Sequence, residues 1–108
     1  MAEEPQYLYL TTIGRKTGSP REIEIWFTAL DGRFYLIAEK REQANWVQNI
    51  LRNPRVKFRV GEQEFTGDGR VVDESNETGL RRQVSEKFDR KYGWSEGLIV
   101  ELKPEESF

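Results

Sequence analysis

Between Thr11 and Arg21 the chain reads Thr-Thr-Ile-Gly-Arg-Lys-Thr-Gly-Ser-Pro-Arg. Gly14, Gly18 and Pro20 are turn formers, and a tight turn with two glycines exposes backbone N–H groups. Arg15, Lys16 and Arg21 surround it with three cations and no acid from Gly14 to Arg21, and Thr17 adds a hydroxyl. Guanidinium forks, an ammonium and exposed amides are the donors that phosphate oxygens take. The segment is therefore either a phosphate cradle or a basic, solvated hairpin. It is not a nucleotide P-loop, because Gly-x-x-x-x-Gly-Lys-Ser/Thr is absent and no helix follows.

Composition narrows what else the chain can do. Its 108 residues include no histidine and no cysteine. That removes the commonest general base, the commonest metal ligand, thiol nucleophiles, disulfides and iron–sulfur ligation. No metal site is expected and no protein catalytic residue stands out, so a borrowed cofactor is the simplest source of chemistry. The net charge of −2 gives no global pull toward nucleic acid or an anionic membrane. Local basic stretches on an acidic protein suit a small anionic ligand. No run approaches the length of a membrane span, and the Met-Ala-Glu-Glu-Pro start lacks the pattern of a secretory signal, so a cytoplasmic location is expected.

Other candidate motifs weaken on inspection. Gly93-Trp94-Ser95-Glu96-Gly97 has the spacing of a hydrolase nucleophile elbow. That elbow needs a strand before it and a helix after, the reverse of the order here, and no histidine can activate Ser95. Glu22 and Glu24 share a strand face about 7 Å apart, where ion pairs to neighbouring Arg or Lys are expected in preference to paired-carboxylate hydrolysis. Arg55, Lys57 and Arg59 form a cationic row, but Phe58 points to the opposite face and cannot stack bases beside them. The row is a solvated strand face or a second anion contact. Trp26 and Trp46 are either core or dimer contacts or pocket walls.

Period-two alternation predicts strands at Tyr7–Ile13, Arg21–Leu30, Arg33–Glu39, Arg55–Val60 and Glu64–Asp73, with a last short strand at Leu98–Leu102 stopped by Pro104. Asp31-Gly32 marks a two-residue hairpin. Gly67-Asp68-Gly69 predicts a bend or bulge. Helical spacing over Glu42–Asn53 (Trp46, Val47, Ile50, Leu51) and Asn76–Tyr92 (Leu80, Val84, Phe88) gives two helices, the second capped by Gly93. The expectation is one mainly-β (α+β) domain over residues 1–108. About six largely antiparallel strands would close into a small barrel with two helices at its ends or openings. With 36% apolar residues and a small core, self-association is also expected, most simply as a homodimer.

Leu10-Thr-Thr-Ile-Gly-Arg-Lys-Thr-Gly-x-Pro-Arg21, the Trp26-Phe27 pair, Asp31-Gly-Arg-Phe-Tyr-Leu-Ile-Ala-Glu-Lys40, Asn45-Trp46-Val-Gln-Asn49 and Asn53-Pro54-x-Val56 together resemble the deazaflavin-dependent nitroreductase and quinone reductase family. The resemblance runs from about Tyr7 to Val72. It implies a split β-barrel, related to the FMN-binding pyridoxamine-phosphate-oxidase-like proteins, and the deazaflavin coenzyme F-420, whose reduced form delivers hydride to quinones or nitro compounds. It further implies that Arg15, Lys16, Thr17 and Arg21, with Gly18 in the same turn, hold the cofactor phosphate. Ile23, Ile25 and Trp26, with Ala38, Glu39 and Lys40, would flank the ring, and Trp46 and Asn49 would line the same cleft. Two departures stand out. The loop between Lys40 and the tryptophan helix is only Arg41-Glu42-Gln43-Ala44, and Tyr92 is the sole C-terminal tyrosine that could cover the ring. They leave open FMN as the cofactor, and a carrier or sensor that binds without turnover.

Overall fold

A computed structural model describes residues 4–105. The readings made on the Met-Ala-Glu start, and the outer ends of the 1–108 domain assignment, fall outside those residues. Seven strands form one sheet: β1 (Tyr7–Ile13), β2 (Pro20–Trp26), β3 (Thr28–Leu30), β4 (Arg33–Ala38), β5 (Arg55–Val60), β6 (Gln63–Val71) and β7 (Leu98–Pro104). Their spatial order is β2-β1-β5-β6-β7-β4-β3, and every pairing is antiparallel. Two helices complete the fold, α1 (Asn45–Arg52) and α2 (Thr78–Tyr92).

The two edge strands, β2 and β3, are consecutive in the chain, so the sheet curls until its edges meet at Phe27. There the chain changes partners. Trp26 pairs with Tyr7 of β1, whereas Thr28 pairs with Tyr35 of β4. The stretch read as one strand from Arg21 to Leu30 is thus two, and the sheet has seven strands where about six were expected. Alternation runs unbroken through the corner, with Ile23, Ile25 and Phe27 facing the interior, and so gives no sign of the switch. Asp31 and Gly32 both take positive φ (54° and 78°), as a two-residue hairpin demands.

Inside the curl lies the main core, Leu8, Leu10, Phe27, Leu36, Val56, Phe58, Val100 and Leu102 among others, with α1 driving Val47 and Ile50 into one end. A second core forms on the outer side, where Val84 and Phe88 of α2 pack on Tyr35, Ile37 and Ile99. Gly93 ends α2 in the left-handed region (φ 70°), its N–H reaching the Asp89 carbonyl. Asn76 precedes α2, in a turn built on the Asp73 carboxylate.

Gly67 and Gly69 do not make the expected bulge, since the β6–β7 register runs continuously through both and the β5–β6 register through Gly67. Their role is close approach. A Cβ on Gly67 would lie 2.0 Å from the Lys103 carbonyl oxygen, and one on Gly69 would press on Ile50 at 3.1 Å. The helix expected from Glu42 is a short 3-10 turn at Arg41–Gln43, and α1 begins at Asn45. Glu24 accepts a hydrogen bond from the Tyr9 hydroxyl (2.7 Å) in place of the expected cation. Among the described residues, no helix is long and apolar enough to cross a membrane.

Candidate functional site

β2 and β4 approach one another without forming a ladder, and the seam between them opens as a cleft of about 840 Å³. Ile23 and Ile25 form one wall, Ile37 and Ala38 the other, and Ala44 and Trp46 close the end nearest α1. The β1–β2 turn supplies Arg15, Lys16, Thr17 and Arg21 to the rim, and the end of β4 supplies Glu39 and Lys40. The volume and apolar floor suit an organic ligand of cofactor size.

Within the turn the backbone is folded on itself. The Gly14 N–H donates to the Ser19 carbonyl (2.7 Å), the Gly18 N–H to the Gly14 carbonyl (2.8 Å) and the Ser19 N–H to Thr17 Oγ1 (3.2 Å). A Cβ on Gly14 would stand 3.1 Å from both the Ser19 carbonyl oxygen and Thr17 Oγ1, which explains the glycine there. Of the turn's amides, those of Gly14, Gly18 and Ser19 are used inside the turn and that of Arg15 goes to Asn49, whereas those of Lys16 and Thr17 have no hydrogen-bond partner among the described residues. They stand beside the side-chain cations of the rim.

Those cations differ in their surroundings. Arg15 is bound to α1: its N–H and its Nη1 both donate to Asn49 Oδ1 (3.2 and 3.0 Å), and Nη2 donates to Asn45 Oδ1 (3.2 Å). Asn49, only 4% exposed, in turn donates from Nδ2 to the buried Thr12 hydroxyl (3.0 Å). Lys16, Arg21 and Lys40 are exposed. Among the described residues, no carboxylate lies within 4 Å of any of these four cations. Glu39 is the only acid in the lining. Four cations against one carboxylate leave the rim with a net positive charge, which a bound anion would relieve.

Of the residues singled out in sequence, Arg15, Lys16, Thr17, Arg21, Ile23, Ile25, Ala38, Glu39, Lys40, Trp46 and Asn49 line this one cleft. Gly18 (φ 74°) sits at the turn's tip and does not line it. Trp26 is placed elsewhere. Strand alternation sends it to the face opposite Ile25, where it stacks on Tyr92 at 4.3 Å and meets Trp94 edge-on at 6.1 Å. Tyr92 is likewise committed away from the cleft, its hydroxyl tied to the backbone of Phe27 and Gln6. Ile37 and Asn45 line the cleft although the sequence did not mark them. A strand position whose side chain also serves the second core, and a helix-opening asparagine, carry no functional signal of their own.

The most strongly coupled ionisable groups lie outside the cleft. Glu101, 2% exposed, accepts hydrogen bonds from Tyr35 (2.9 Å), Arg70 (3.0 Å) and Arg33 (3.2 Å). Burial would raise its pKa, but the bonds from Arg70 and Tyr35 outweigh that and hold it below the usual carboxylate range. Among the described residues, no group of three or more acidic, histidine or cysteine side chains could hold a metal ion. The cleft thus has an apolar floor, a cationic rim and neither imidazole nor thiol.

Solved structures with this architecture are numerous. The chain superposes on an F-420-H2-dependent reductase with a TM-score of 0.67 at 18% identity, over 95% of this chain and 98% of that one. An FAD-binding protein from Mesorhizobium loti matches with a TM-score of 0.73 at 14% identity, over 94% of this chain and 83% of that one. A heme storage protein from Vibrio cholerae gives 0.71 at 19%, again over 94% and 83%. At such identities the likeness establishes the fold, a split β-barrel shared with flavin-binding proteins. The sequence carries the assignment further, for residues 1–95 match the family model described as F-420H(2)-dependent quinone reductase. That match spans most of the chain and includes every strand and helix before β7, so the protein belongs to this family of oxidoreductases, whose cofactor is coenzyme F-420.

Proposed function

We propose that the cleft between β2 and β4 holds the coenzyme, and that the protein passes hydride from its reduced form to a small organic acceptor such as a quinone or a nitro compound. The observation that carries this reading is the set of four rim cations, none with a carboxylate partner among the described residues, around an apolar slot. Lys16 and Arg21 would take the phosphate directly, with the Thr17 hydroxyl beside them, while Lys40 extends the positive rim along the opposite strand. Ile23, Ile25 and Ala38 would bracket a planar ring, with Trp46 closing the slot and excluding water. When bound, the reduced coenzyme supplies the hydride. The chain's own part is to bind, orient and keep the site dry. FMN offers a similar ring and phosphate, and is the alternative occupant. On this reading the protein works in the cytoplasm as a homodimer.

Titrating purified protein with F-420 and with FMN, each followed by its fluorescence, tests the cofactor. Steady oxidation of reduced F-420 on adding menadione or a nitroaromatic then tests turnover. Lys16→Ala and Arg21→Ala should each weaken coenzyme binding about tenfold, the loss of one charge-assisted contact, with the fold unchanged. Unaltered affinity in both variants would remove the rim from the site. Binding without turnover would instead favour a carrier.

A further inference from the structure

The outer face of β2, β1, β5 and β6 has no helix over it, since α1 enters the curl and α2 packs against the β4–β7 side. Its side chains are sorted by strand. β2 presents Glu22 and Glu24, β1 presents Tyr9 and Thr11, and β5 presents Lys57 and Arg59. All but Glu24 border one shallow groove of about 430 Å³, which Glu64 and Thr66 of β6 complete. The registers align these columns. Thr11 is opposite Glu22 on one side and Lys57 on the other, and Tyr9 is opposite Glu24 on one side and Arg59 on the other.

An acidic and a basic column therefore flank β1 at equal heights, each one strand spacing of about 4.8 Å away. Within one chain the two columns are about 10 Å apart, with Thr11 between Glu22 and Lys57. Neither of those two residues has an ion-pair partner among the described residues. Arg59 lies over the Tyr9 ring, 4.4 Å from its centroid, and Glu24 accepts the Tyr9 hydroxyl, so both already lean toward the central strand.

We propose that this face is a self-complementary docking surface for a second copy of the chain, related by a two-fold axis running along β1. Rotation about that axis exchanges the columns while keeping their heights. Glu22 then faces the partner's Lys57, Glu24 faces the partner's Arg59, and both contacts repeat by symmetry. Tyr9 and Thr11 meet their own copies on the axis. An isologous contact requires such self-complementarity, and aligned sheets about 10 Å apart leave room for side chains of these lengths. The contacts across it are ion pairs between exposed side chains, so the dimer is weak and salt-dependent. It is independent of what occupies the cleft.

Sedimentation velocity over rising protein concentration tests this, at about 20 mM and about 0.5 M salt. Wild type should associate at low salt and dissociate at high salt. The double variants Glu22→Lys/Glu24→Lys and Lys57→Glu/Arg59→Glu should each be monomeric, weakened at least about tenfold, whereas an equimolar mixture of the two should associate again. The chain has no cysteine, so Thr11→Cys gives a second readout that keeps both columns intact. A short bismaleimide should link its copies, and should leave Gln83→Cys on α2 unlinked. A wild type that stays monomeric at low salt would overturn the proposal. So would a dimer indifferent to both reversals, a mixture that does not reassociate, or equal cross-linking at Thr11 and Gln83.

Discussion

Asn49 and Arg15 are joined twice over: a single side-chain oxygen on α1 accepts both the backbone N–H and the guanidinium Nη1 of Arg15, at 3.2 and 3.0 Å. The other end of the same amide donates to Thr12, which is 1% exposed. One buried side chain thus ties β1, the basic turn and α1 together. Asn49→Ala leaves a buried hydroxyl without its donor and frees the turn from the helix. Unfolding free energy should fall by about 1–3 kcal/mol, and coenzyme affinity should fall with it because Lys16 and Arg21 lose their footing. Urea denaturation and a binding titration on the same preparation check both. Normal stability in this variant would show that the clasp holds nothing.

Tyr92 supplies a partner where the sheet has none. At the corner between β2 and β3, the Phe27 N–H donates to the Tyr92 hydroxyl (3.0 Å), and the hydroxyl reaches the carbonyls of Gln6 (2.7 Å) and Phe27 (2.9 Å). Tyr92→Phe keeps the stacking on Trp26 and leaves the Phe27 carbonyl its bond from Lys91 Nζ (2.9 Å), but it strips the Phe27 N–H and the Gln6 carbonyl of their partner, so a loss of about 1–3 kcal/mol is expected. Coenzyme affinity should not change, because the ring lies outside the cleft. A variant of wild-type stability that binds coenzyme poorly would return Tyr92 to the site.

These two residues show what was legible in the sequence. The strands, both helices, the Asp31-Gly32 hairpin and the basic turn announce themselves through alternation, helical spacing and turn residues, because each is set by local chemistry. The corner at Phe27 was invisible, since the chain changes partner there without changing face. Trp26, left open between core contact and pocket wall by the residues and set beside the ring by the resemblance, proves a core contact for a related reason. Aromatic character marks a residue as important, but only the strand's parity, set by which face is inward, decides whether it meets the cleft or α2. Asn49 was found through resemblance, and its place in the clasp depends on a helix meeting a turn 34 residues away. No local pattern encodes that. The spare amides expected of the turn are fewer than its composition suggested, because the turn satisfies much of its own backbone first and leaves only the Lys16 and Thr17 N–H groups without a partner among the described residues.

Gly97 connects the loop after α2 to the floor of the cleft. Its φ of 141° is foreign to L side chains, and a Cβ there would lie 2.3 Å from the Ala38 carbonyl oxygen. Gly97→Ala must displace β4 or β7 at the point where Ala38 pairs with Leu98. A cost of about 2 kcal/mol or more follows from the backbone strain alone. Because Ala38 also lines the cleft, coenzyme binding should weaken although no ligand contact is removed. A thermal melt and a binding titration test this together, and an unchanged melting temperature would refute it.

One cluster on the outer side of β4, β6 and β7 holds both the carboxylate lowered furthest and the tyrosine raised furthest. Glu77 is held down at about 2, first by its hydrogen bonds from Arg70 and then by the Asp73 N–H, and Glu101 is also lowered. Depressed carboxylates contribute fully above the ordinary range and lose that contribution as pH falls through the folded value. Stability should therefore decline from about pH 4.5 toward pH 2. Tyr35 behaves in the opposite sense. Burial, and then its hydrogen bond to Glu101, push it up from 10.0 to about 12, so its contribution is complete below pH 10 and fades as pH rises toward 12. Glu77→Gln should flatten the acid limb, and Tyr35→Phe should remove its alkaline counterpart. Glu101→Gln leaves two arginines facing a neutral amide. These are 41% and 45% exposed and recover water, so its cost should be about 2 kcal/mol, below the 3–5 typical of a fully buried pair. Urea unfolding from pH 3 to 11, with tyrosinate absorbance followed alongside, measures all three. An acid limb unchanged in Glu77→Gln would place the pH dependence elsewhere in the protein.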